Sequence, residues 1–105
     1  MNHVHDKNNL FALLQTNKCA IIKFSAAWCG PCRVIAPYID ELTRTNPDIC
    51  FISVDVDESD DIPEIFNVQS MPTFVAMVNG QQLTRVEGAM KGKIDDMLAA
   101  LVAYL

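Results

Sequence analysis

The chain has 105 residues, 50% of them hydrophobic and 20% charged, with a formal net charge of −5. That length suits one soluble domain, residues 1–105, able to bury a core of its own. The acidic balance argues against nucleic acid as a partner, because neutralising phosphates takes clustered Lys and Arg.

Taken in chain order, the predicted elements alternate between strand and helix. The start, MNHVHDKNN, is polar and holds no apolar stretch of the secretory kind, so a reducing, cytoplasmic location is the expectation. Residues 2–5 read as a short edge strand. Leu10, Phe11, Leu13 and Leu14 stand at helical spacing, which predicts a first helix over 8–16. AIIKFS, 20–25, is a short and nearly continuous apolar run, as in a strand buried on both faces. A second helix over 31–45 carries the stripe Val34, Ile35, Tyr38, Ile39 and Leu42, with Pro37 inside it as a kink and Asn46-Pro47 as its end.

CFISVDV, 50–56, reads as a second buried strand. The acidic run DVDESDD, 55–61, reads as a solvated loop and helix start; it lacks the glycine an EF-hand loop needs. Ser59 is a good N-cap, with Asp60 and Asp61 in the first turn, so 59–67 is predicted as a third helix in which Pro63 falls early. TFVAMV, 73–78, is a strand, and Asn79-Gly80 is a hairpin signal leading to a partner strand over 82–87. Ile94, Met97, Leu98, Leu101, Val102 and Leu105 give the last helix, 91–104. Strands joined through helices are expected parallel and the hairpin antiparallel, making an α/β mixed sheet with helices on both faces. No segment approaches the about 18 apolar residues of a membrane span.

The chemistry lies in AIIKFSAAWCGPC, 20–32. Cys29 falls where a strand ends and a helix begins, and Cys32 follows one helical turn later. At that spacing the two Cα atoms lie about 5 Å apart, within disulfide range. The helix N-terminus presents unpaired N–H groups and partial positive charge to Cys29, which favours its thiolate and makes it the nucleophile. Cys32 is then the resolving thiol. Gly30 lets a partner backbone approach, and Pro31 suits a first helical position. The competing reading is half of a zinc site. Tetrahedral zinc wants four Cys or His, and Cys19, Cys50, His3 and His5 form no second close pair, so no metal is expected. Cys19 and Cys50, beside buried strands, read as small core hydrophobes.

Trp28-Cys29-Gly30-Pro31-Cys32 resembles the active-site motif of the thioredoxin family. The likeness extends over nearly the whole chain through FSAAWCGPC, Pro37, VDVDE at 54–58, MPTF at 71–74, Asn79-Gly80 and Gly88-Ala89. The resemblance implies the thioredoxin fold, a central mixed sheet of four or five strands flanked by four helices. It implies a cis bond at Met71-Pro72 facing the cysteines. It also implies an apolar docking surface of Trp28, Met71, Pro72 and Gly88, on which the backbone of Met71 pairs with an extended stretch of the partner. Trp28 has the alternative of a packed core aromatic. The implied function is protein disulfide reduction: Cys29 attacks the client disulfide, Cys32 resolves the mixed disulfide, and the Cys29–Cys32 disulfide is re-reduced by an NADPH-dependent thioredoxin reductase. No cofactor is bound by the chain itself. Family clients include peroxiredoxins, methionine sulfoxide reductases and ribonucleotide reductase. A monomer is expected, with no nucleic-acid or membrane partner.

Two positions depart from the family pattern. Most members place an aspartate in the buried strand where this chain has Lys23, and the usual lysine partner of that acid falls at Ser53. A buried, unpaired ammonium is costly. Lys23 therefore snorkels to the surface, finds Asp55, Asp57 or another carboxylate, or loses its proton more easily than usual; a simply solvated Lys23 is the plain alternative. Lys23, Gly30, Pro31, Asp57 and Pro72 are thus expected to tune the active site. A Lys23 charge beneath the cysteines would favour thiolate and a more oxidising potential. The second departure is Glu87, before Gly88, which either steers against acidic clients or is a solvated strand-end charge. Two other functions stay open: an oxidase or isomerase, favoured only by Lys23, and a binding module whose thiols are incidental.

Overall fold

The computed structural model describes residues 1–59 and 61–105. Its elements are β1 (Asn2–His3), α1 (Lys7–Thr16), β2 (Cys19–Ser25), α2 (Gly30–Thr45), β3 (Cys50–Asp55), α3 (Ile62–Ile65), β4 (Thr73–Val78), β5 (Gln81–Glu87) and α4 (Lys91–Val102). The strands form one sheet in the order β1-β3-β2-β4-β5. β3 runs parallel to β1 and β2; β4 runs antiparallel to β2 and β5.

Strand alternation divides the core in two. Cys19 and Ile21 of β2 face a cluster with Ile35, Ile39 and Leu42 of α2 and Ile94, Met97 and Leu101 of α4. Ala20, Ile22 and Phe24 face the other way, onto Leu10 and Leu14 of α1 and Ile62 of α3. Both faces of β2 are therefore covered, which is why its sequence reads as an apolar run rather than an alternation. This is the mixed α/β sheet expected, with five strands and four helices among the described residues.

The helices begin where their caps are. Asp6 caps α1, its carboxylate accepting from Asn9 N–H at 2.9 Å. α2 continues through Pro37 and ends at Asn46. Apolar stripes are narrower than the sequence implied. Val34 is 80% exposed, because the buried face of α2 follows Cys32, Ile35, Ile39 and Leu42, and Val34 stands a further 100° round the helix. Phe11 and Val102 are likewise exposed, and Leu105 lies beyond the end of α4.

The expected third helix over 59–67 is a single turn, Ile62–Ile65. Ser59 is buried, and its Oγ accepts from Ile62 N–H at 3.4 Å, so it still serves the start of that turn. Asp60 lies outside the described residues. The chain leaves the turn early, with Asn67 at φ 51°. This shortness corrects the expectation that helix-joined strands are parallel: β3 and β4 are joined through α3, yet both pair with β2 in opposite senses. A four-residue turn rises only about 6 Å, whereas a six-residue strand is about 20 Å long. The turn itself does not carry the chain back along the sheet, and the 56–72 connection returns to the end at which β3 stops, so that Asp55 and Thr73 stand beside Ser25 and Phe24 of β2.

Asn79 and Gly80 both have positive φ, 51° and 78°, and close the β4–β5 hairpin as read from sequence. A register shift at Ala76/Met77 marks a bulge in that ladder.

Candidate active site

The candidate site is built where three chain segments meet at one end of the sheet. β2 delivers the loop 26–29 to the start of α2. Cys29 is the N-cap of α2, in extended conformation, and Pro31 occupies the first turn. Cys29 Sγ accepts from Cys32 N–H at 3.2 Å, and Cys29 N–H donates to Ala26 O at 3.2 Å. The two cysteines are joined as a disulfide, with Cα atoms 5.3 Å apart. Only 4% of Cys29 and 7% of Cys32 is exposed, so a client must come to the sulfurs; they do not project toward it. They pack with Ala26, and Val56 and Met71 close over this small cluster. Val56 was not picked out from sequence. Its place directly after β3, where its N–H donates to Ser25 O at 3.0 Å, brings it there.

The bond Met71–Pro72 is cis. Pro72 is buried and Met71 half-buried against the cysteines. Pro72 O accepts from Gly88 N–H at 2.7 Å, which ties the loop before β4 to the end of β5. Gly88 has φ 103°, a conformation closed to side-chain-bearing residues, and a Cβ there would stand 3.6 Å from the Met90 side chain. Trp28 is 67% exposed. It is a surface side chain, not a packed core aromatic, and its Nε1–H donates to Asp57 Oδ2 at 2.9 Å. Of the residues expected to dock a client, Met71 packs on the cysteines, Pro72 follows it and is tied to Gly88, and Trp28 directly precedes Cys29. Met90 is 45% exposed and its side chain lies beside Gly88; its position just beyond Gly88-Ala89 was the signal available in sequence.

Lys23 lies in β2 on the α2/α4 face, two residues beyond Ile21, and is half-buried. Its neighbours in register are Ser53 on β3 and Phe74 on β4, neither able to neutralise it. Among the described residues it makes no ion pair, with Asp55 and Asp57 or any other carboxylate. Burial pulls its pKa below the ordinary value, and the charge of Asp40, on α2, partly restores it. Asp40 is the nearby acid that sequence inspection did not single out; it is brought there by the packing of α2 on the sheet. Glu87 pairs with Arg85 at 3.5 Å, so its charge is partly compensated.

Cys19 and Cys50 are free thiols. Cys19 is buried under α4, within 3.9 Å of Leu101 O. Cys50 is half-buried, its Sγ accepting from Asn2 Nδ2 at 3.5 Å, and burial pushes its pKa up. Neither joins the Cys29–Cys32 cluster.

Residues 1–100 match the profile of the Thioredoxin family. A "Thioredoxin H-type" of Brassica oleracea is 46% identical over 96 residues, covering 90% of this chain and 78% of that protein. The X-ray structure of Fasciola hepatica thioredoxin superposes with a TM-score of 0.93 at 33% identity, over 96% of this chain and 99% of that one. A chain from the structural basis of the thiol-resolving mechanism of a yeast mitochondrial 1-Cys peroxiredoxin, via glutathione and thioredoxin systems, superposes with a TM-score of 0.92. It is 32% identical, over 96% of this chain and 95% of that one. With a cysteine pair closed into a disulfide at the head of α2, the chain belongs to the thioredoxin family of protein disulfide reductases, which work by thiol–disulfide exchange.

Proposed function

We propose that the chain is a general dithiol reductant in which Cys29 attacks and Cys32 resolves. The observation that carries this assignment is the hydrogen bond from Cys32 N–H to Cys29 Sγ at the N-cap of α2. The same N–H and the positive end of the helix favour a thiolate at Cys29 once the disulfide is reduced. The Cys29 thiolate attacks one sulfur of a client disulfide, and the other client sulfur leaves as a thiolate that takes up a proton. Cys32 then loses its proton and attacks Cys29 Sγ. The mixed disulfide breaks, the second client sulfur leaves reduced, and Cys29–Cys32 closes. Two electrons have passed to the client, and an NADPH-dependent flavoprotein reductase restores the dithiol without any cofactor resident on this chain.

The docking surface proposed for clients is the apolar rim of Trp28, Met71, Pro72 and Gly88, with Met71 offering backbone to an extended segment. Peroxiredoxins, methionine sulfoxide reductases and ribonucleotide reductase are the client classes, and the cytoplasm the location, that fit this role. The assay is reduction of insulin by dithiothreitol-recharged protein. Cys29→Ser should abolish turnover. Cys32→Ser should accumulate a mixed disulfide, visible by mass, without turnover. Full activity in Cys29→Ser would remove the assignment of Cys29, and an unsubstituted protein with no turnover to lose would leave a binding module as the reading. Lys23 is the one observation on the side of an oxidase. Equilibration against glutathione decides the direction: a potential near that of a protein disulfide isomerase, about −180 mV, would favour it.

A further inference from the structure

The Lys23 ammonium is half-buried and forms no ion pair with a carboxylate among the described residues. Such a group is costly, and a fold keeps it without harm only where something else supplies the compensating charge. The side chains around it narrow what that can be. A groove of about 230 Å³ is lined by Lys23, Ser25, Cys32, Arg33, Ala36 and Asp55. From β3, Ser53 stands opposite Lys23 and is neutral, while Asp55, whose Oδ1 accepts from Asp57 N–H at 2.9 Å, lines the groove as an anion without forming an ion pair with Lys23. From β4, Phe74 is opposite and neutral. From α2 come three groups: Asp40, which acts on Lys23 without reaching it as an ion pair; Arg33, whose guanidinium donates to Ala27 O at 2.7 Å; and Cys32. With the disulfide closed, Cys32 carries no charge. With the disulfide open, it is the group on this wall whose charge depends on the redox state, whereas the carboxylates of Asp55 and Asp40 are there in both states.

Resting on the reading of Cys32 as the resolving thiol, we propose that the Lys23 ammonium is the counter-ion of the Cys32 thiolate, partnered in the dithiol and left unpartnered in the disulfide. Lys23 touches neither reacting sulfur and is a positioning residue: its charge holds Cys32 in the state that attacks. In the resolving step the Cys32 proton goes to water, the thiolate electron pair forms the bond to Cys29 Sγ, and the bond from Cys29 to the client sulfur breaks. The ammonium stays protonated throughout. Because the pair exists only in the reduced protein, it also stabilises the dithiol relative to the disulfide, increasingly so as Cys32 ionises. Across a groove open to water, with an effective dielectric of about 40 to 80, one unit charge at about 6 Å is worth about a three- to tenfold change in an ionisation constant, with screening reducing it further.

The test reads Cys32 alone. In a Cys29→Ser background, alkylation of Cys32 by iodoacetamide is followed by peptide mass against pH, which separates it from Cys19 and Cys50. Lys23→Met should move the midpoint upward and slow alkylation at pH 7 by several-fold, up to about tenfold. Lys23→Arg, which keeps the charge, should restore most of the difference. With both cysteines present, the Lys23→Met dithiol–disulfide ratio against glutathione should shift toward the disulfide, more at pH 8 than at pH 6. An unchanged alkylation profile in Lys23→Met would overturn the proposal, and so would a Lys23→Arg profile as displaced as that of Lys23→Met. Insulin reduction that survives Cys29→Ser is a separate outcome: it removes the resolving role of Cys32 and leaves the charge measurement standing.

Discussion

At the scale of single residues, the site is assembled from side chains whose settings differ sharply although they adjoin. Cys29 and Cys32 are almost wholly covered, while Trp28, one residue away, is 67% exposed and held over the surface by Asp57. Covered sulfurs favour reaction only with a partner that docks, and the exposed ring supplies apolar surface for docking. Lys23 is the residue whose setting has a measurable consequence in the resting protein. Burial makes its ammonium easier to deprotonate in the folded than in the unfolded chain, where its pKa is near 10.5. Between the two pKa values the unfolded chain binds more protons, so stability rises with pH in that window. Below the window the cost of the buried charge is present in full; above 10.5 it is gone. Lys23→Met in the oxidised protein is therefore expected to raise the urea midpoint at pH 7, with the gain shrinking steadily as pH is taken toward 10.5. A gain independent of pH would mean that packing, not charge, is responsible.

At the scale of elements, the site at the head of α2 depends on a hairpin that holds the loop facing it. The β4–β5 hairpin turns through Asn79 and Gly80 with positive φ at both, and its far end carries Gly88, whose N–H holds Pro72 O. The turn at one end of the hairpin thus sets the register of the strand that fixes the cis-proline loop at the other. Gly80→Ala has open space around its Cβ but an unfavourable left-handed backbone. It should cost about 1 kcal/mol in urea denaturation, with insulin reduction nearly unchanged while the protein stays folded. The Asn79-Gly80 turn and the 3.6-residue periodicity of α1, α2 and α4 were legible in the sequence because their causes are local. The extent of α3 was not: Ser59 promised a cap, and it does accept from Ile62 N–H, but nothing local announces that the chain leaves the helix after Ile65.

At the scale of the whole molecule, β2 is the hinge between two cores. Phe24 is fully buried on the α1/α3 face, its ring centroid 5.6 Å from that of Phe66, while Cys19 and Ile21 serve the α2/α4 face. Removing a large side chain from such a layer costs its transfer free energy plus that of the cavity it leaves. Phe24→Ala is expected to lose about 3–5 kcal/mol by chemical denaturation, a large part of the roughly 5–15 kcal/mol that holds a domain folded. A loss under about 1 kcal/mol would show that the α1/α3 face collapses to fill the space.

What the sequence by itself determined is local and chemical. Cys29 and Cys32 had to lie one turn apart at a helix start and Asn79-Gly80 had to turn, because each outcome depends only on neighbouring residues; the apolar β2 run announced burial on both sides, which α1 with α3 and α2 with α4 supply. Tertiary structure alone decided the rest, since it depends on which segments meet. The antiparallel entry of β4 follows from a connection that returns to the end of the sheet at which β3 stops. Val56 and Met71 reach the cysteines from separate loops, and Asp40 rather than Asp55 or Asp57 acts on Lys23 because α2 packs across β2. The lysine was visible in the sequence as an anomaly; that it shares a groove wall with Cys32 is a property of the fold.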